Sequence, residues 1–214
     1  MALLHKTGLV PSKLELIAGW APTQPWFEGD RRGEFVTVAS YRFDDPAGEV
    51  GVETLLVRAG DGPVLHIPLT YRGAPLEGAE EWFIGTMEHG VLGTRWTYDA
   101  LGDPVYLATL AETVLTGGRQ ADQFYEIEGK RVDREPSALV NGTGVAGARV
   151  PSAGGISTRN DLQSTLAETD DLTVLVARLP RLRPLGEVPS AERLIGTWTG
   201  QPEATTLALV SLRG

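Results

Sequence analysis

The sequence predicts an α+β fold: a curved, mainly antiparallel β-sheet packed by one long and one short helix, with additional C-terminal strands that extend it. Three observations predict this class. Apolar and polar residues alternate in short runs between residues 34 and 98, turns of a few residues separate these runs, and one well-marked helix follows at residues 103–117. Short turns favour antiparallel neighbours, because parallel strands need a long crossover connection.

The first elements are a short helix and a series of strands. Ser12 follows Pro11 and is a suitable N-cap for a helix that runs to Gly19. A loop rich in Pro, Gly and aromatic residues covers Trp20–Gly33. The strands predicted from alternation and turn residues are Glu34–Phe43, Val50–Arg58, Val64–Tyr71, Trp82–Glu88 and Val91–Tyr98.

The long helix has clear start and stop residues. Asp103 stands at the N-cap position, and Pro104 suits the first helical position because its missing N–H would have no intrahelical partner there. Apolar residues fill much of the following three turns. Gly117 and Gly118 predict the end of the helix, since glycine adopts the left-handed conformation of a C-cap.

The second half of the chain has weaker patterns and is predicted to be rich in strands. The predicted strands are Phe124–Glu128, Ala138–Val140, Asp171–Leu179, Leu194–Thr199 and Thr205–Leu212, and a Gly-rich stretch at residues 141–158 is predicted to be a loop. We therefore expect residues 1–120 to form one α+β domain and residues 121–214 to form a β-rich extension packed on that domain.

Composition excludes several classes of function. The 214 residues carry a net charge of −9 and no cysteine. The negative charge argues against nucleic-acid binding, which depends on Lys and Arg, and the lack of cysteine excludes disulfides and thiolate chemistry. We see neither a secretory signal nor an apolar run long enough for a membrane span, so a cytoplasmic location is expected. No cofactor and no metal site are predicted.

The letters of residues 142–147, GTGVAG, match the GxGxxG pattern of dinucleotide-binding loops. That function requires a helix to begin within the pattern, so that its N–H groups meet the pyrophosphate. Pro151 and two further glycines follow instead and oppose a helix. A simple loop is the better interpretation.

Three polar residues on neighbouring predicted strands form one candidate site. His66 lies within an apolar strand, and Glu88 and His89 end another. An imidazole beside a carboxylate is a usable acid–base or metal-binding set. Adjacent residues of a strand point to opposite faces, however, so Glu88 and His89 would need a bulge to face the same side. Core histidines are the competing interpretation.

Acidic pairs raise the question of a glycosidase, which needs two carboxyl groups flanking one bond. The clusters are at residues 44–45, 80–81, 99 with 103, and 170–171. Turns, strand edges and a helix cap explain them better.

The tryptophans are candidates for binding. Trp20 and Trp26 flank a Pro-rich loop, and Trp198 lies near the end of a late strand. An exposed indole ring stacks on sugars or anchors a protein partner, whereas a loop fixed by its own aromatic residues is the competing interpretation. Trp82 and Trp96 lie on predicted strands and are expected in the core.

With these residues in view, the chain resembles the N-terminal cap domain of bacterial maltokinases, and small stand-alone proteins similar to that cap. The resemblance rests on HIPLTYRGAPL (residues 66–76), IGTMEH (84–89) and WTYDALGDP (96–104), and for the stand-alone proteins also on PSKLEL (11–16) and FDDPAGEV (43–50). It covers roughly residues 10–120. It implies a curved antiparallel sheet packed on helices, in agreement with the pattern of the residues.

The resemblance implies a function as well, although no catalytic residue carries over. Maltokinases continue into two lobes with a catalytic Asp and Mg²⁺ ligands, and we find no such motif here. We expect a non-catalytic accessory or regulatory protein linked to maltose, trehalose and α-glucan metabolism, with a kinase or α-glucan enzyme as its partner. The alternatives are a carbohydrate-binding module that uses tryptophans and an uncharacterised enzyme built on His66 and His89. Sheet edges also make a homo-oligomer an open alternative.

Overall fold

Strands dominate the architecture. The computed structural model describes residues 2–4, 8–127, 129–186 and 188–213. The strands are β1 (Ala2–Leu4), β2 (Leu9–Val10), β3 (Phe35–Phe43), β4 (Gly51–Ala59), β5 (Val64–Arg72), β6 (Phe83–His89), β7 (Gly93–Asp99), β8 (Gln123–Ile127), β9 (Lys130–Arg134), β10 (Ala138–Gly142), β11 (Ser157–Asn160), β12 (Ser164–Glu168), β13 (Leu172–Ala177), β14 (Glu192–Trp198) and β15 (Gln201–Leu212).

Both predicted helices are confirmed. Helix α1 spans Lys13–Trp20 and begins with a capping box, in which Ser12 accepts from the Glu15 N–H and the Glu15 side chain accepts from the Ser12 N–H. Helix α2 spans Pro104–Thr116, with Asp103 as its N-cap and Gly117 in the left-handed conformation at its end. Single 3-10 turns lie at Ala21–Thr23, Glu80–Trp82 and Ala100–Gly102. None of the described helices has the length and apolar character of a membrane span.

The first sheet is the curved antiparallel sheet that the sequence predicts. Its six strands follow the order β2-β6-β7-β5-β4-β3. One face of this sheet packs on α1 and the loop after it, in a core that contains Ile17, Trp26 and Ile67. An ion pair between Lys13 and the buried Glu53 fixes the start of α1 to β4.

A bulge in β3 divides its side chains between the two faces of the sheet. The pairing of β3 with β4 shifts between Thr37 and Ala39, so that Val38 is the extra residue. Before the bulge, Phe35 packs in the α1 core, and after it Tyr41 joins the opposite core. A bulge has this effect because one inserted residue reverses the alternation of side chains.

The C-terminal strands form a second six-stranded sheet, in the order β10-β14-β15-β13-β12-β11. The predicted α+β class with additional C-terminal strands is confirmed, and these strands pair with one another rather than with the first sheet. Helix α2 explains the separation, because its buried residues contact one core that also contains residues of both sheets, such as Tyr41 and Val174. A helix whose apolar residues cover most of its surface is stable when it is buried on more than one side, and the two sheets provide this burial.

Some strands of the second half had no clear pattern in the sequence. Strands β9, β11 and β12 were not predicted, and each carries several polar residues. Strand β1 pairs in parallel with β8 and forms a small third sheet with β9. Pairing with neighbouring strands determines whether these segments form strands, and the local sequence does not encode that pairing.

Candidate functional site

A pocket of about 160 Å³ lies where the two sheets meet. Five segments contribute to it: the end of α1, the residue after the 3-10 turn that follows α1, the 3-10 turn before β6, the end of β7, and β11. We call it the indole pocket after its two tryptophans, and its lining residues are Trp20, Gln24, Glu81, Trp82, Asp99, Thr158 and Asn160.

Trp82 forms one wall of the indole pocket and is held from two sides. Its Nε1–H donates to Thr158 Oγ1 at 3.0 Å. Its ring lies directly on Gly102, where an added Cβ would come within 2.0 Å of ring atom Cδ2. Glycine is therefore the residue that permits this packing. The turn before α2 and a strand of the second sheet together fix the orientation of the ring.

Trp20 lies on another side of the pocket and is supported by a second tryptophan. Its ring meets that of Trp26 edge to face, with 5.6 Å between the ring centroids. Trp26 is fully buried, and the Arg178 guanidinium carbon lies 4.9 Å from its ring centroid. Edge-to-face packing and cation–π attraction both favour this arrangement.

Arg178 connects these aromatic rings to the polar residues of the pocket. Its Nη2–H donates to Asp99 Oδ2 at 2.6 Å, and its Nε–H donates to Thr165 Oγ1 at 2.7 Å. The Thr165 hydroxyl in turn donates to Asn160 Oδ1. Asp99 and Asn160 both line the pocket. One buried guanidinium thereby fixes two of the polar lining residues and, through Trp26, one of the indole rings.

The network retains unused hydrogen-bonding capacity. Among the described residues, neither Arg178 Nη1 nor Trp26 Nε1 has a hydrogen-bond partner, although both residues are fully buried. Buried donors are normally paired, and those that are not often mark functional sites. Neither Arg178 nor Trp26 is among the residues that line the pocket, and both hold side chains that do.

His66 has a structural role beside this network. Its Nε2 shares a hydrogen bond with the Tyr41 hydroxyl, and its Nδ1 shares one with the Ala177 carbonyl, both at 2.8 Å. Burial lowers the pKa of His66 to about 3; the hydrogen bond to the Ala177 carbonyl opposes this shift, and the charge of Arg178 adds a smaller lowering effect. Burial also raises the pKa of Tyr41. A neutral His66 therefore joins β5 to β3 and to the end of β13.

The structure does not bring His66 together with Glu88 and His89. Leu69 of β5 pairs with Asp99, the last residue of β7, so His66 lies three residues beyond the end of the β5–β7 pairing. His89 pairs with Gly93, which is at the opposite end of β7. The exposed Glu88 accepts a hydrogen bond from Thr94. His89 Nδ1 accepts from the N–H groups of Val91 and Leu92 and so closes the β6–β7 turn.

The three tryptophans proposed for binding occupy different environments. Trp26 and Trp198 are buried, at 0% and 5% exposure, and Trp20 is the half-buried one that reaches the pocket. Trp82 and Trp96 are half-buried rather than core residues. Sequence reasoning did not select Glu81 or Asp99 as site residues, because turns, strand edges and a helix cap explained the acidic clusters. The available indication was Arg178, which directly follows the apolar strand β13, since a buried arginine needs a carboxylate partner.

The Gly-rich loop ends helix α2 rather than forming a nucleotide site. The N–H groups of Gly144 and Val145 donate to the carbonyls of Val114 and Leu115, at 2.9 and 3.0 Å. A Cβ on Gly144 would lie 2.0 Å from the Leu115 oxygen. The glycines are therefore required for close approach of the loop backbone to the carbonyls that a helix leaves unpaired.

One segment of the chain forms most of the first sheet and contributes Trp82 to the pocket. The same segment matches a known protein family. Residues 20–103 match the family model of the maltokinase N-terminal cap domain. This match confirms the resemblance predicted from the sequence. This segment, residues 20–103, is called the cap segment and covers less than half of the chain. The pocket residues within it include Trp20, Glu81, Trp82 and Asp99. Thr158, Asn160 and Arg178 lie outside it. No curated protein matches the chain.

Two aspartates near the end of the cap segment each accept a backbone hydrogen bond and pair with an arginine. Asp99 accepts from the Leu101 N–H and pairs with Arg178, and Asp103 accepts from the Val105 N–H and pairs with Arg72 through both carboxylate oxygens. Within the described residues, no group of three His, Cys, Asp or Glu side chains is arranged to hold a metal ion.

Proposed function

We propose that this protein is a non-catalytic accessory protein of maltose and α-glucan metabolism, which acts as the partner of a maltokinase-type kinase or a related α-glucan enzyme. The observation that supports the proposal is the match of residues 20–103 to the maltokinase N-terminal cap domain. As its name states, this cap domain belongs to the N-terminus of that kinase.

The polar side chains support a structural rather than a catalytic role. His66 is buried and held neutral, Asp99 is paired with Arg178, and Asp103 caps α2 while pairing with Arg72. A general acid or base must instead reach a substrate and titrate near the working pH. The enzyme alternative built on His66 and His89 therefore receives less support than the accessory role.

The carbohydrate-binding alternative now concerns one place in the fold. Burial of Trp26 and Trp198 leaves Trp20 as the proposed tryptophan that reaches the indole pocket, together with Trp82. Binding of sugar is compatible with an accessory role, since a partner of an α-glucan enzyme would meet the same saccharides.

Co-purification tests the accessory role. The tagged full chain is expressed in its own organism, and captured proteins are identified by mass spectrometry against a tag-only control. We expect a maltokinase-type kinase or another α-glucan enzyme to be enriched. Repeated captures that recover the chain in quantity without any such enzyme would contradict the proposal.

A further inference from the structure

We propose that the start of helix α1 and the adjoining end of the first sheet form a binding site for a phosphate group, in which Lys13, Arg42 and Arg95 supply the positive charge. These three cations lie around Tyr71, on the face of the sheet that α1 covers. The site shares no residue with the indole pocket, and the proposal does not depend on the accessory role. Such a group of cations is unexpected on a chain with a net charge of −9.

Tyr71 fixes the positions of Lys13 and Glu53. The Lys13 Nζ lies 5.1 Å from the centroid of the Tyr71 ring, and the Tyr71 hydroxyl donates to Glu53 Oε2 at 3.0 Å. Lys13 also donates to Glu53. Burial would raise the pKa of Glu53, yet the charges of Lys13 and Arg42 and these two hydrogen bonds lower it to about 2. Glu53 is therefore ionised at neutral pH, and it balances one of the three cations.

Two glycines leave space for the guanidinium groups beside Tyr71. Gly51 pairs with Tyr71 across the sheet, and an added Cβ there would lie 3.3 Å from Arg42 Nη2 and 3.2 Å from Tyr71 Cδ2. Gly73 follows two residues after Tyr71, and a Cβ there would lie 3.1 Å from Arg95 Nη1. Larger residues at these positions would push the guanidinium groups away from the sheet. Because β4 and β7 are the two neighbours of β5, the two arginines lie on opposite sides of Tyr71.

The fold does not use the charges of Arg42 and Arg95 in ion pairs. Arg72 and Arg178 each pair with an aspartate. By contrast, neither Arg42 nor Arg95 forms an ion pair with a carboxylate of the described residues. Arg95 Nη2 donates to the Leu92 carbonyl at 2.9 Å, and the Nε atoms of both arginines have no hydrogen-bond partner in the described part of the chain. Both guanidinium groups therefore keep the capacity to bind an anion.

The chemistry of these side chains matches phosphate. A guanidinium group donates parallel hydrogen bonds to phosphate oxygens, and an ammonium group acts as a compact point charge. Three cations and one carboxylate leave two positive charges, which balance a phosphate dianion. Lys13 is also the first residue of α1, where the helix dipole favours an anion. The Lys13 side chain is 27% exposed and both arginines are half-buried, so a ligand can reach them from solvent.

NMR titration of the isotope-labelled full chain tests the proposal. The probes are inorganic phosphate, glycerol 3-phosphate and, at the same ionic strength, chloride. We expect both phosphate compounds to shift the Nε–H signals of Arg42 and Arg95. Arg42→Gln and Arg95→Gln should each weaken binding about tenfold, the effect of one lost charge-assisted hydrogen bond. The matched control Arg193→Gln removes an exposed arginine from β14 in the second sheet and should leave the affinity unchanged. The backbone amide spectrum verifies that each variant is folded.

The two phosphate probes distinguish the source of the ligand. Tighter binding of glycerol 3-phosphate would identify a phosphorylated small molecule, and equal or tighter binding of inorganic phosphate would identify the free ion; both results support the site. Three results would overturn the proposal: no shift of the two arginine signals in folded wild type, equal shifts with chloride, which would show screening alone, or an affinity that either arginine variant leaves unchanged. The wild-type titration decides the proposal even where a variant does not fold.

Discussion

Asp99 and Arg178 form a buried ion pair that joins the two sheets, with 2.6 Å between Asp99 Oδ2 and Arg178 Nη2. Asp99 is the last residue of β7, and Arg178 follows directly after β13. The Arg178 carbonyl also accepts from the His66 N–H. The backbone just after β13 therefore forms a hydrogen bond with β5, at a position of β5 that β7 does not reach.

Removal of one partner of this pair should be strongly destabilising. Asp99→Ala would leave the fully buried Arg178 without its counter-charge, and we expect a loss of about 3–5 kcal/mol in the free energy of unfolding. Urea unfolding measures it. The control Asp122→Ala breaks an exposed pair with Arg119 and should cause no measurable change. Equal effects of the two substitutions would contradict this role for Asp99.

His66 should make stability depend on pH. Its pKa is about 3 in the folded chain and 6.5 as the ordinary value. Between these values the unfolded chain binds a proton that the folded chain does not, so this contribution is complete above pH 6.5 and decreases as the pH falls. We expect the free energy of unfolding to fall by about 2 kcal/mol more in wild type than in His66→Gln between about pH 8 and pH 5.

Urea unfolding at several pH values measures this difference, and NMR provides a direct control. The ring signals of His66 should keep their neutral positions from about pH 8 to pH 5. A ring that titrates within that range, or identical pH profiles for wild type and His66→Gln, would be inconsistent with a buried neutral imidazole.

Glycines of the loop after β10 should differ sharply in their tolerance of substitution. A Cβ at Gly144 would collide with the Leu115 carbonyl at 2.0 Å, whereas one at Gly154 would meet its nearest atom, Asp170 Oδ2, at 3.5 Å. We expect Gly144→Ala to cost about 2–3 kcal/mol, since backbone must move and carbonyls at the end of α2 lose donors. Gly154→Ala should stay within about 0.5 kcal/mol of wild type.

Thermal unfolding of the two variants under identical conditions measures the contrast. Similar melting temperatures for Gly144→Ala and wild type would show that the loop does not cap α2 as the hydrogen bonds indicate. Because both substitutions add the same methyl group within one Gly-rich stretch, a general effect of glycine replacement on the unfolded chain cancels in the comparison.

Local chemistry allowed the helices and the order of the first strands to be predicted. The residues that start and end the helices act through neighbours within one helical turn, so the sequence predicts their roles directly. They are Ser12, Asp103, Pro104 and Gly117. The bulge at Val38 could not be predicted, because it depends on pairing with β4. For the same reason the sequence did not reveal that the later strands form a sheet of their own.

The candidate site was only partly accessible to sequence reasoning. Trp20 was selected as a partly exposed ring, and it does line the pocket. Its neighbours there, Trp82, Asp99 and Asn160, come from three other segments, and long-range packing alone brings them together. The ion pair of Asp99 with Arg178 could not be predicted, because the two residues are 79 positions apart in the sequence.

The accessory role is tested most directly by sedimentation velocity on the purified full chain mixed with a purified maltokinase of the same organism, at about 10 µM each, a concentration at which transient interfaces form. We expect a faster-sedimenting complex that contains both proteins. Two independent species at this concentration, with both proteins folded, would contradict the proposed function.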